Sequence, residues 1–260
     1  MKKVLLLGQH GMLGHEVLRV LDGKYAITAF GRAHFEAADC LSLQSIESKF
    51  DFVINAIGIT IPFAKRNLQD TYFVNGMFPH ILSSIFGERL IHITTDCVFS
   101  GQEGAPYDEN SPHSPIDSYG GSKSRGEPKH SITLRTSIIG RETHGYTGLL
   151  EWFLKQKGKT VKGYTEHYWN GITTTQFGKV CDRIMSPWKL RDAVDPGIYH
   201  VFGETVSKYQ MLCAFKEKYK VDCEIVPDAS TKLNRTLSTI HGMNDWLEIP
   251  SFAQMIEEMP

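Results

Sequence analysis

Three glycines recur at three-residue steps in Gly8-Gln9-His10-Gly11-Met12-Leu13-Gly14, between an apolar run and a stretch of helical periodicity. The run Val4–Leu7 ends on the first glycine. Met12–Leu21 then carries Met12, Leu13, Val17, Leu18, Val20 and Leu21 at helix-like spacing. A strand therefore hands over to a helix through one tight turn. The first glycine permits the turn, the second lets a pyrophosphate approach the backbone, and the third lets helix and strand pack closely. Unpaired N–H groups and partial positive charge at the helix start favour phosphate. The expectation is a dinucleotide site built on Gly8, His10, Gly11, Met12, Leu13 and Gly14.

The chain around this turn alternates strand and helix patterns. Tyr25–Phe30, Asp51–Ala56, Leu90–Thr95 and Ile132–Arg135 read as further strands, with helices over Asp70–Phe86 and Tyr119–Glu127. Alternation of this kind implies parallel pairing with right-handed crossovers, and near-continuous apolar strands imply burial on both faces. The second half is less regular. Helices are expected over Leu149–Lys157, Thr175–Met185, Ser207–Tyr219 and Phe252–Glu258, and strands over Gly197–Val201 and Glu224–Val226. The fold class is α/β: a Rossmann-type, doubly wound parallel sheet with a smaller C-terminal substrate lobe. Residues 1–140 are expected to form the dinucleotide-binding domain, with part of 172–200 returning to it, and 141–260 mainly the substrate-binding lobe.

Composition narrows the class of partner. With 28 basic and 29 acidic residues the chain lacks the basic footprint of a nucleic-acid binder. No apolar stretch reaches membrane-helix length, and the apolar core of the N-terminus is too short for a signal peptide. Five scattered cysteines without a Cys-x-x-Cys suggest free thiols and a cytoplasmic location. Eleven histidines include no His-Glu-x-x-His, so no metal site is expected.

The second strand ends Ala29-Phe30-Gly31-Arg32, with an arginine where an acid would bind ribose hydroxyls. Arg32 can pair with a 2′-phosphate, so NADP(H) is the expected cofactor, with NAD(H) still open. Asp39 can accept from the adenine amine. Asn55-Ala56-Ile57-Gly58 closes the third strand at the carboxyl edge, where ligands sit in such sheets. Tyr119-Gly120-Gly121-Ser122-Lys123 is a Tyr-x-x-x-Lys, and residues four apart share a helix face. A cation near the Tyr119 hydroxyl favours the phenolate, which suits proton exchange with a carbonyl oxygen. Thr95, at the end of the fourth strand beside Thr94, is the expected carbonyl-polarising donor.

These residues, with Thr94-Thr95-Asp96-Cys97-Val98-Phe99-Ser100-Gly101, Tyr119–Glu127 and Leu134-Arg135-Thr136-Ser137, resemble the dTDP-4-dehydrorhamnose reductase family within the extended short-chain dehydrogenases. The likeness is strong over the first 140 residues and faint beyond, where Asn234-Arg235-Thr236-Leu237-Ser238 is similar to an Arg-containing stretch of the family. The resemblance implies NADPH-dependent reduction of the 4-keto group of a nucleotide-activated 6-deoxy sugar. It implies Thr95, Tyr119 and Lys123 as catalytic residues. It sets Gly8, Gly11, Gly14, Asp39, Ala56, Gly58 and Asn75 around the cofactor, together with Thr94. Cys97, Val98, Phe99, Trp169, Asn170 and Arg235 are candidates on the substrate side. The base is left open among dTDP-, UDP- and GDP-linked sugars, and so is a homodimer. Cys97 stands where the family usually has tyrosine. It suggests a bifunctional epimerase/4-reductase as an alternative, with His144 or His167 as partner acid. A non-catalytic NADP-binding regulatory subunit is a further alternative, against which the full Thr95/Tyr119/Lys123 set argues.

Overall fold

Residues 1–186 and 194–260 are described by a computed structural model. Its centre is an all-parallel sheet that draws strands from both halves of the chain. They are β1 (Lys3–Leu7), β2 (Ala26–Phe30), β3 (Phe52–Asn55), β4 (Leu90–Thr95), β5 (Ile132–Thr136) and β6 (Gly197–His200). The strands lie in the order β2-β1-β3-β4-β5-β6. The chain leaves β1 on one side to make β2 and returns on the other to make β3. The crevice at their carboxyl ends is therefore the switch point at which such sheets bind ligands. Every residue of β3 and β5 is buried, as on a sheet covered on both faces; in β5 this includes Thr133 and Arg135, whose polar atoms find partners inside the protein.

Helix α1 (Met12–Leu21) follows the glycine turn and buries Leu13, Val17 and Leu21. The segment expected as one helix over Asp70–Phe86 begins at Leu68 and contains a π-helical turn, Phe73–Met77, before α2 (Phe78–Phe86). Pro79 has no N–H to offer the Asn75 carbonyl four residues back, so the regular ladder breaks there. Helix α3 (Ser118–Arg125) begins on Asp117, which accepts from Gly120 N at 2.8 Å. Helix α4 (Thr174–Met185) comes from the second half but packs on α1, joining Phe177, Val180, Cys181 and Ile184 to Leu13, Val17 and Leu21 in one core. With β6 it brings the chain back to the sheet; positions 187–193 of the expected return lie outside the described residues.

The rest forms a smaller lobe with its own core around Phe153, Trp169, Met211, Phe215 and Phe252. Short strands tie it together. Thr160–Tyr164 pairs with Glu224–Asp228, and His167–Trp169 lies between Val206–Ser207 and Leu233–Asn234. The first lobe helix stops at Leu154, three residues before its expected end, and the strand expected over Glu224–Val226 runs on to Asp228. A capping box between Ser207 and Gln210 starts the helix Lys208–Tyr219. Among the described residues no helix is long and apolar enough to cross a membrane. All five cysteines are free thiols.

Candidate active site

The glycine turn lies against the end of β3. Gly8 has a φ of +93°, and a side chain there would meet the Ala56 backbone at 3.0 Å. A Cβ on Gly14 would fall 2.0 Å from the Gly8 carbonyl oxygen, so only glycine lets α1 start this close to β1. Gly11 meets nothing nearer than that same oxygen, at 3.4 Å, and caps α1 without a side chain. The start of α1 has no side-chain cap, and its first N–H groups suit a diphosphate. Leu13 is buried in the core, Met12 is half-buried, and His10 is exposed with its carbonyl accepting from Thr143 Oγ1 at 2.7 Å. Arg32 and Asp39 are both exposed beyond β2, with Asp39 on a 3₁₀ segment, Ala37–Lys49.

Two asparagines shape the loop opposite. Asn55 donates from Nδ2 to His92 Nδ1 at 3.0 Å and accepts from Ile57 N at 3.1 Å. Asn75 accepts from Ile59 N at 2.8 Å and donates to Ile59 O at 2.9 Å and Ser122 Oγ at 3.1 Å. Both amides are committed to the protein. They hold residues 56–59 in place instead of pointing at a ligand.

Thr95 ends β4, buried, accepting at Oγ1 from Cys97 N at 3.1 Å and donating to Asp96 Oδ1 at 3.1 Å. Tyr119, in the first turn of α3, has the Thr95 hydroxyl as a close neighbour of its phenol. Lys123 lies one turn further on the same helix, as the spacing predicted. Its ammonium, however, donates to Ile93 O at 2.7 Å, inside the sheet. The expected lowering of the phenol is therefore corrected. Burial raises Tyr119, with the charges of Cys97, Asp96 and Asp117 adding and the Thr95 hydroxyl opposing. Burial also lowers Lys123 to about 8, against the pull of Glu127. Thr94 points to the opposite face of β4 and gives its hydroxyl to Glu127 Oε1 at 2.9 Å.

The substrate-side candidates divide. Val98 and Phe99 are core, Phe99 stacking on Tyr107 at 4.3 Å. Asn170 clamps the backbone of Leu237 from both ends of its amide, at 2.8 and 3.0 Å. Trp169 is buried in the lobe core. Cys97 and Arg235 do face the Thr95/Tyr119 group: Arg235 Nη1 lies 3.6 Å from Cys97 Sγ, and its Nε donates to Phe99 O at 3.0 Å. Burial, reinforced by Asp96, pushes the Cys97 thiol up to about 12. Burial, with Lys208 and Arg235, drops His167 to about 4. His144 is exposed beside Thr143, on the glycine-turn side.

Lys208 was not anticipated. Its ammonium stands 5.9 Å from the Trp169 ring centroid and faces Asp96, Cys97 and Arg235, with burial lowering it to about 8. One signal was available: a lysine at the first position of a capped helix opposes the helix dipole.

Behind the site, Arg135 is 1% exposed. It meets Glu127 at 2.5 and 3.1 Å and donates to His113 Nε2 at 2.9 Å and His200 Nε2 at 2.6 Å. Both imidazoles accept and so stay neutral; burial chiefly lowers each, with Arg135 adding. Burial also holds His92 down. Unfolding frees these rings to bind protons, so the unfolded state binds more of them at low pH. Stability should be complete above the ordinary value of 6.5 and fall as pH drops from there toward the folded values, about 4 for His167. Urea titrations across that window check this, and a flat midpoint would refute it.

A parallel sheet that reverses order between β1 and β3, a glycine turn at the reversal and a Thr/Tyr/Lys group at the carboxyl edge define a Rossmann-type protein of the short-chain reductase kind. More narrowly, the family model described as RmlD substrate binding domain matches residues 1–239, and the chain belongs to that family. SpsK, a spore coat polysaccharide biosynthesis protein of Bacillus subtilis (strain 168), is 29% identical over 247 residues, 87% of this chain and 82% of that protein. A dTDP-4-dehydrorhamnose reductase of Aggregatibacter actinomycetemcomitans is 28% identical over 231 residues, 82% of this chain and 78% of that one. The crystal structure of dTDP-4-dehydrorhamnose reductase from Bacillus anthracis str. Ames in complex with NADP has the same fold. Its TM-score is 0.80 at 19% identity, over 100% of this chain and 98% of that one.

Proposed function

We propose that the protein reduces the 4-keto group of a nucleotide-activated 6-deoxy sugar with NADPH. The observation that carries this is the meeting of Thr95 and Tyr119 at the end of β4, with Lys123 one helical turn away. The residues present fit a dinucleotide: the N-terminus of α1 without a side-chain cap, the bare Gly11 and the exposed Arg32. Bound NADPH supplies a hydride to C4. Tyr119 gives its proton to the carbonyl oxygen, and Thr95 orients that oxygen. Lys123, fixed at Ile93 O, offsets the charge left on the phenolate. Lys208 and Arg235 give the lobe side two positive charges suited to an anionic substrate. Free thiols support a cytoplasmic location. Exposed Phe63, Leu68, Tyr72 and Met77 support a homodimer.

The test is a panel of dTDP-, UDP- and GDP-linked 4-keto-6-deoxy sugars, with NADPH oxidation followed optically. Stoichiometric consumption, fastest with the dTDP-linked sugar, is expected; no consumption with any of the three would sink the reading. Arg32→Ala should weaken NADPH binding about 10- to 100-fold, the worth of a hydrogen bond to a charged group, and leave NADH binding unchanged. Equal losses for both would remove Arg32 from the 2′-phosphate.

A further inference from the structure

We propose that Asp96 is a positioning residue whose carboxyl decides whether the Thr95 hydroxyl donates outward to the substrate carbonyl or inward to the protein, and that substrate binding throws this switch by loading a proton onto it. The inference rests on Thr95 being the carbonyl donor. A threonine oxygen has one proton and two lone pairs. In the structure one lone pair takes Cys97 N, and the oxygen lies 3.1 Å from Asp96 Oδ1. That contact has two polarities. With Asp96 ionised, the hydroxyl proton points at the carboxylate and cannot reach a carbonyl. With Asp96 protonated, its O–H fills the second lone pair, and the Thr95 proton is left for the side that Tyr119 and the substrate share.

The surroundings set which polarity holds. Asp96 is 8% exposed. From its own segment it meets Thr95 and Cys97; from the lobe it faces Arg235 and Lys208; on α3, Tyr119 and Asp117 border the same group. Burial favours the neutral acid, and only the two lobe cations and the short-range hydrogen bonds oppose it. Arg235 and Lys208 are also the cations an anionic substrate would meet. Once they are paired with a diphosphate, their hold on the ionised carboxyl weakens, and Asp96 takes up a proton. The Thr95 hydroxyl is then released as the sugar arrives.

The experiment is calorimetric titration of the NADP⁺-loaded protein with dTDP at neutral pH, in buffers of different ionisation heat, for wild type and Asp96→Asn. The wild type should take up more protons per dTDP than the variant, by up to about one. Lys208 is the other group near its titration range and Asp96 helps to keep it charged, so the pair is also compared in a Lys208→Arg background, where that position keeps its charge and does not titrate. NADPH binding by the variant, followed by fluorescence, establishes that it is folded. Equal proton uptake by the two proteins overturns the switch, and so does absence of dTDP binding by the wild type. Nothing in the measurement needs turnover. Inactivity on every keto sugar alongside the expected uptake would fell the reductase reading and the carbonyl role of Thr95 with it, whereas activity with equal uptake would fell the switch alone.

Discussion

Tyr119→Phe should turn over about 10²- to 10⁴-fold more slowly than wild type while binding NADPH unchanged. The substitution removes one oxygen and keeps the ring. The phenol holds its proton firmly, because burial raises it and the neighbouring Cys97, Asp96 and Asp117 oppose a further negative charge. It is therefore a donor waiting for a stronger base, and the alkoxide that forms at C4 is one. Without it, the proton must come from water or from Thr95, whose hydroxyl is already shared with Asp96. Single-turnover NADPH oxidation measures the chemical step directly. A rate within about threefold of wild type would remove Tyr119 from the mechanism.

Glu127→Leu should cost about 3–5 kcal/mol of stability, since it strands the buried Arg135 guanidinium without a counter-charge. The loss spreads: Thr94 gives up its acceptor at the end of β4, and Arg135 keeps only two neutral imidazoles. Urea unfolding reads the change as a shifted midpoint at constant slope. Adding Arg135→Leu should restore part of the loss, because an apolar pair needs no solvation. A single-variant loss below about 1 kcal/mol would mean that water reaches the pair.

How far the sequence spoke depends on how local each signal was. Buried parallel strands advertise themselves as apolar runs, and β1 and β3 were visible for that reason, whereas β4 and β5, which also bury His92, Thr133 and Arg135, showed through their β-branched residues. The glycine turn was legible because sterics forbid a side chain at Gly8 and Gly14. The Tyr119/Lys123 register was legible because helical pitch fixes it. The partner of Lys123 was not, since a backbone carbonyl such as Ile93 O leaves no trace in a residue pattern. Lys208 reaches the site from 111 positions beyond Cys97 only by tertiary folding, which periodicity does not encode. The internal partners of Asn55, Asn75 and Asn170, among them His92, Ile59, Ser122 and Leu237, could not be read from the residue pattern, because folding brings them together from distant positions. The two-residue lobe strands are too short for alternation to emerge.

The sheet's sixth strand and the helix that covers α1 have a bearing on how the chain is made. Until Thr174–Met185 emerges from the ribosome, α1 shows water the apolar stripe that α4 will cover, and until Gly197–His200 follows, β5 is an unsealed edge. The nascent nucleotide-binding half must wait, partly assembled, while the intervening lobe segments are synthesised. That interval of exposed edge and apolar surface is one that chaperones would have to guard.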